Sequence, residues 1–171
     1  LYVNETAGIG ESVENLVSYV YLEAVSPHLA AEINRQPIDF GRVEEAFKRA
    51  LAKYAFLTME GSGGIICPLR WDDKQHVILD DLIKDLDLGV LIIADAGLGT
   101  INAAVLTIEH LQQRQIPIRG VIFNNYVPDD IMQTDNEKMI VAMTGIPVVA
   151  KVRHGDQELA MDAAELAGLY R

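Results

Sequence analysis

Residues 89–104 read GVLIIADAGLGTINAA. The run from Val90 to Ala94 is apolar throughout, too short for a helix and bounded by turn residues, so it reads as a buried strand. Asp95 closes it, two glycines mark a tight turn, and the periodic segment 100–115 (TINAAVLTIEHLQQRQ) is a long helix with Thr100 placed to cap it. The same alternation extends in both directions. Upstream, Pro27 stands at the front of a short helix behind Ser26, and residues 39–54 form an amphipathic helix with Phe40, Val43, Phe47 and Leu51 at helical spacing. AFLTM at 55–59 reads as another buried strand, and HVILDDLIKDLD as a helix. Downstream come a strand at 118–125, a helix at 135–145 ended by Gly145, a strand at 146–152 and a last helix at 156–171. Apolar strands alternating with helices predict an α/β fold with a parallel sheet flanked by helices, in one domain spanning 1–171.

Composition narrows the function classes. A formal charge of −11 repels phosphate backbones and argues against nucleic acid as a partner. Cys67 is the one cysteine, so no internal disulfide can form, and a reducing cytoplasm is expected. No apolar run reaches the ~20 residues of a membrane span, so no membrane partner is expected.

Open parallel sheets bind ligands beyond the carboxyl ends of their strands. Four times over, polar or glycine-rich residues gather there: Glu60-Gly61-Ser62-Gly63-Gly64, then Asp95 to Thr100, then Asn124 and Asn125, then Arg153, His154 and Asp156. Glu60 reads either as a solvated strand end or as a metal ligand. The glycines behind it let backbone amides approach an anion, and a carboxylate beside phosphates needs a cation between them, so the pair predicts Mg²⁺. Gly99 and Thr100 open a helix whose free amides and partial positive charge suit a carboxylate or phosphate, or else form a plain capped turn. Asn124 and Asn125 either stabilise a turn or read a purine edge, since a carboxamide both donates and accepts. His28 reads as a surface or structural histidine, His154 has no assigned role, and Cys67 reads as a small core residue.

In order along the chain, SPHLAA, EGSGGIICPL and LGTINAAVLTIEHLQQRQIPIRGVIFNN resemble the dethiobiotin synthetase family over roughly residues 17–152. The glycine loop is shared with related P-loop amidoligases; the Leu-Gly-Thr-Ile-Asn helix start together with the Ser-Pro-His segment narrows the resemblance. It implies a P-loop NTPase-like (Rossmann-like) architecture and an ATP- and Mg²⁺-dependent cyclo-ligase of biotin biosynthesis. Such an enzyme joins 7,8-diaminononanoate and CO₂ into the cyclic urea of dethiobiotin, releasing ADP and phosphate, and works as a homodimer. By resemblance, Glu60 is the metal ligand, and Glu60, Gly61, Ser62 and Gly63 belong to the nucleotide-phosphate loop. Asn124 and Asn125 are the adenine pair, with Val152, Arg153 and His154 standing where many members have Ile-Pro-X. Ser26, Pro27, Gly99, Thr100, Ile101 and Asn102 hold the diamine, the last four across a dimer interface. The G-x-x-x-x-G-K-[ST] motif that opens such enzymes does not occur in the 171 residues. The expectation is therefore a chain that corresponds to the C-terminal three quarters of a synthetase, starting roughly fifty residues into the family pattern, with the family's lysine outside it. Two other classes share the glycine loop: non-catalytic or regulatory P-loop relatives and cobyrinate-type amidoligases. The acidic final segment LAMDAAELAGLYR does not suit the membrane helix that regulators of that kind use.

Overall fold

The computed structural model describes residues 2–170. The chain divides into two compact units, Leu1–Leu82 and Ile83–Arg171.

In the first unit the helices are α1 (Tyr2–Thr6), α2 (Val13–Leu16), α3 (Pro27–Ile33) and α4 (Phe40–Lys53), followed by strands β1 (Pro68–Trp71) and β2 (His76–Ile78) and the start of α5 (Leu79–Asp85). Helix α4 follows its apolar spacing, and the Asp39 side chain caps it by accepting from the Gly41 amide. Its stripe is only half-buried, and Leu51 is exposed. Strands β1 and β2 form an antiparallel hairpin that the sequence reading missed. Its turn is built by one carboxylate: Asp72 accepts from the amides of Lys74 and Gln75, both at 2.8 Å, and pairs with Arg70 Nε at 2.7 Å. Arg70 Nη1 also donates to the Ile38 carbonyl at 3.0 Å, tying the hairpin to the chain before α4. The ring of Trp71 stacks on His76 across the pair at 4.4 Å.

Two expectations for this unit fail. Residues 55–59 form no strand, and Phe56 and Met59 are exposed. An apolar run becomes a strand only where a neighbour supplies a ladder in register, and among the described residues the sheet β1–β2 and the three-stranded sheet described next do not include this run. The segment read as a helix from His76 begins instead as β2, because Val77 pairs with Arg70, and turns helical only at Leu79.

The second unit is the predicted α/β arrangement. Strands β3 (Val90–Asp95), β4 (Ile118–Asn124) and β5 (Val148–Lys151) are parallel in the order β3-β4-β5. Between them run α6 (Thr100–Gln113) and α7 (Ile131–Thr144); α8 (Ala163–Gly168) closes the chain under an Asp162–Glu165 capping box. The central strand carries the core: Val121 and Phe123 are fully buried, as are Ile108 and Leu111 of α6 and Ile140 of α7. β3, read as buried, pairs among the described residues only with β4, and Ile93 on it is 61% exposed. Gly120 allows the strands to approach, since a Cβ there would stand 2.5 Å from Val149 Cγ1. Among the described residues, no helix is long and apolar enough to cross a membrane.

Candidate functional site

The carboxyl ends of the three parallel strands bring several of the expected residues side by side. Asp95 and Asn124 are register partners, and the Ala96 amide donates to the Asn124 carbonyl at 2.9 Å. Past the end of β5 the ladder continues: Val152 donates to Phe123 at 2.8 Å and accepts from the Tyr126 amide at 2.9 Å. Val152 is thereby fixed against the Asn124–Asn125 turn. Arg153 and His154 follow it, both exposed, with the Arg153 amide held by Asp156 at 2.8 Å.

Asp95 links two loops. One of its oxygens accepts from the Gly97 amide at 2.8 Å, the other from Asn125 Nδ2 at 2.7 Å. The Asn125 carboxamide first, and the Gly97 amide second, hold its carboxyl below the ordinary carboxylate range. Asn125 takes φ +56°, a conformation asparagine tolerates better than most residues. Its nitrogen is committed to Asp95, whereas Asn124 lies exposed at the strand tip.

The opening of α6 corrects one expectation. Its N-cap is Gly99 at φ +92°, with no side-chain cap; Thr100 is instead the first helical residue, 6% exposed. The physical reason is the turn itself, whose left-handed residue must precede the helix, which leaves the threonine inside it. The Thr100 amide donates to the Gly97 carbonyl at 3.4 Å and the Ala103 amide to the Gly99 carbonyl at 3.3 Å, which leaves the amides of Ile101 and Asn102 to face an anion. Ile101 is half-buried and Asn102 is exposed on this turn. A cavity of about 350 Å³ lies against it, lined by Asp95, Leu98, Gly99, Thr100 and Ala103 with the face of β3.

Two residues that the sequence did not single out support these loops from α7. Asn136 is buried and donates through Nδ2 to the Ala96 carbonyl at 3.0 Å and the Gly97 carbonyl at 3.1 Å. Gln133, one turn earlier and equally buried, accepts through Oε1 from the Val127 amide at 2.8 Å. Asp130 caps the helix by accepting from the Gln133 amide. The signal available in the sequence was the pair of carboxamides three apart, on the face that also carries buried Ile140.

The remaining candidates lie in the first unit. Glu60, Gly61, Ser62 and Gly63 are exposed in a loop closed by the Cys67 amide donating to the Gly64 carbonyl at 3.0 Å. Gly63 takes φ +72°, which calls for glycine, and a Cβ on Gly61 would come within 2.8 Å of Leu79 Cδ2. Burial pushes the Cys67 thiol up, as for a packed rather than a reactive cysteine. Ser26 and Pro27 open α3, and the Ser26 side chain makes no capping bond. His28 Nδ1 is buried without a hydrogen-bond partner. No cluster of three metal-binding side chains occurs among the described residues. A single carboxylate on a glycine loop fits Mg²⁺, which keeps waters and substrate phosphates as its other ligands.

The family profile described as an AAA domain matches residues 1–158. The ATP-dependent dethiobiotin synthetase of Brachyspira hyodysenteriae is 46% identical over 154 residues, covering 90% of this chain and 70% of the relative. Those of Clostridium kluyveri and Clostridium novyi are 43% and 38% identical, each with 63% of its length covered. The aligned region takes in the glycine loop, the α6 opening and the asparagine turn within its length, and the α/β sheet is of the P-loop NTPase-like kind. The chain belongs to the dethiobiotin synthetase family.

Proposed function

We propose that the protein bearing this chain is an ATP- and Mg²⁺-dependent dethiobiotin synthetase. The observation that carries the reading is the edge of the second unit. There the α6 opening, with the Ile101 and Asn102 amides facing outward, stands beside an exposed asparagine turn, joined to it through Asp95. In this reading one amine of 7,8-diaminononanoate adds to CO₂ and loses a proton, giving a carbamate. A carbamate oxygen takes the γ-phosphoryl group of ATP, and ADP leaves. The second amine attacks the resulting carbonyl carbon, phosphate departs with the C–O bonding pair, and the cyclic urea closes. Such phosphoryl and acyl transfer rests on positioning and charge neutralisation.

Each group has a task in this scheme. Asn124 offers a donor and an acceptor to the adenine edge, with Asn125 and Val152 to His154 beside it. Gly61, Ser62 and Gly63 admit the phosphates. Glu60 would hold Mg²⁺, which neutralises phosphate charge as the γ-phosphoryl group moves. Ser26 and Pro27 line the diamine, and Gly99 to Asn102 hold its carboxylate across a homodimer interface. That local donor set is needed because the chain as a whole, at −11, attracts no anion. A protein of this kind works in the cytoplasm. The test is incubation of the full-length protein with ATP, diamine and ¹³C-bicarbonate. The reading expects a product one ¹³C heavier at the ureido carbonyl; ATP hydrolysis without label incorporation would overturn it.

A further inference from the structure

Buried carboxamides on a helix are expensive unless their hydrogen bonds are satisfied, so what they bond to is informative. On α7, Gln133 and Asn136 lie on one face and are each 6% exposed, yet neither bonds to the other. Each reaches a different loop at the carboxyl edge of the sheet. Asn136 faces two carbonyls, Ala96 and Gly97, so the group it presents is Nδ2 acting as donor. Those carbonyls belong to the turn that aims the first amides of α6. Gln133 faces an amide, that of Val127, so the group it presents is Oε1 acting as acceptor. Val127 lies two residues past Asn125, in the segment that carries the asparagine turn into α7. The helix is anchored at this end by Asp130, whose side chain fixes the Gln133 amide at 2.9 Å. One turn deeper the same face becomes apolar at Ile140, which is fully buried. The polar stretch is thus confined to the part of α7 that reaches the two loops.

We propose that Asn136 and Gln133 are positioning residues with separate duties. Asn136 holds the α6 opening in the geometry that receives the substrate carboxylate. Gln133 holds the asparagine turn in the geometry that receives the nucleotide. The assignment of ligands to the two loops rests on the function proposed above; the assignment of each carboxamide to its loop does not. The opposite polarities of the two contacts give the proposal a chemical signature. Gln133→Glu keeps the acceptor that Val127 requires, whereas Asn136→Asp replaces a double donor with an acceptor facing two carbonyls.

The experiment has two readouts on the full-length protein. Amide hydrogen exchange comes first and is independent of activity. Asn136→Ser should speed exchange at residues 97–102 and leave Tyr126 and Val127 near wild type, and Gln133→Leu should do the reverse. Exchange that rises uniformly over the second unit, or at neither loop, overturns the clasp. Steady-state kinetics come second. Asn136→Ser should raise the diamine KM about tenfold, the scale of losing a bond to a buried carbonyl, with the ATP KM within about twofold. Gln133→Leu should raise the ATP KM by a similar factor and spare the diamine KM, and Gln133→Glu should restore it. If both KM values move together in both variants, the separate duties are wrong; a lowered melting temperature with neither KM changed reduces the pair to a structural role. Where Gln133→Leu does not fold, Gln133→Met is read in the same way. Local exchange as expected with no diamine-dependent turnover in the wild type keeps the clasp and overturns the ligand assignment.

Discussion

Gly99→Ala is the sharpest single perturbation of the α6 opening, because the structure separates strain from collision there. Gly99 has φ +92°, and a Cβ added to it meets no atom within 4 Å. No collision adds to the cost of the backbone conformation, about 1–2 kcal/mol for an L-residue in left-handed geometry. Alanine is also a poorer N-cap than glycine. For a chain of this size that range corresponds to a fall in melting temperature of roughly 2–8 °C. Gly99→Asn should cost less than Gly99→Ala, since asparagine tolerates positive φ. Thermal unfolding followed by circular dichroism gives the stability order, and the diamine KM gives the functional consequence. The chain can relieve the strain only by rotating the turn, and rotation moves the first amides of the helix. The KM should therefore rise in the same order, glycine below asparagine below alanine, while the ATP KM stays nearly constant. An alanine variant that melts with wild type, or an asparagine variant worse than alanine, refutes the strain argument. An unchanged diamine KM in a destabilised alanine variant refutes the assignment of this turn to the substrate.

Three further outcomes follow from particular contacts. Glu60→Gln keeps the side-chain shape and loses its charge, so Mg²⁺-ATP turnover should fall by an order of magnitude or more with the circular dichroism spectrum unchanged; equal turnover removes Glu60 from the site. Gly120→Ala places a Cβ 2.5 Å from Val149 Cγ1 at φ +149°, so it should destabilise by about 1–3 kcal/mol through forced separation of β4 and β5, and a neutral melting temperature would contradict the close strand approach. Asp72 is held at about 2 against an ordinary 3.8, by the Gln75 amide first, then Arg70 and the Lys74 amide. A depressed carboxyl stabilises the fold above the unfolded value and loses that contribution as pH falls through 3.8 toward 2, so Asp72→Asn should flatten the acid limb of the stability curve in that window; parallel curves for the two proteins would exclude the contribution.

What was legible in the sequence was the part written in local periodicity. Helix α6 and strands β3, β4 and β5 sit where their apolar patterns place them, and Gly145 ends α7 in left-handed geometry as its position suggests. What depends on partners was harder to read. AFLTM has strand composition but belongs to neither sheet, while PLRW and HVI, less apolar and broken by a charged turn, do pair, because Asp72 collects two amides and an arginine. The true start of α7 at Ile131 lies four residues before the sequence reading placed it, since its first turn exposes Ile131 and hides Gln133. At the site, the glycine turn and the asparagine pair were recognisable as motifs. Their supports were not: Asp95 could be seen only as a strand end, and Asn136 contacts a loop forty residues away in sequence. A buried carboxamide is distinguishable from a solvated one only when its acceptors are in place.

The α6 opening and the asparagine turn are proposed to serve one reaction, the ATP-driven closure of a diamine and CO₂ into a cyclic urea. The most direct measurement is ADP formation by the full-length protein with 7,8-diaminononanoate present and absent, at saturating ATP, Mg²⁺ and bicarbonate. ADP release should depend on the diamine and match dethiobiotin formed one for one. ADP release at the same rate without the diamine, or none under either condition, would contradict it.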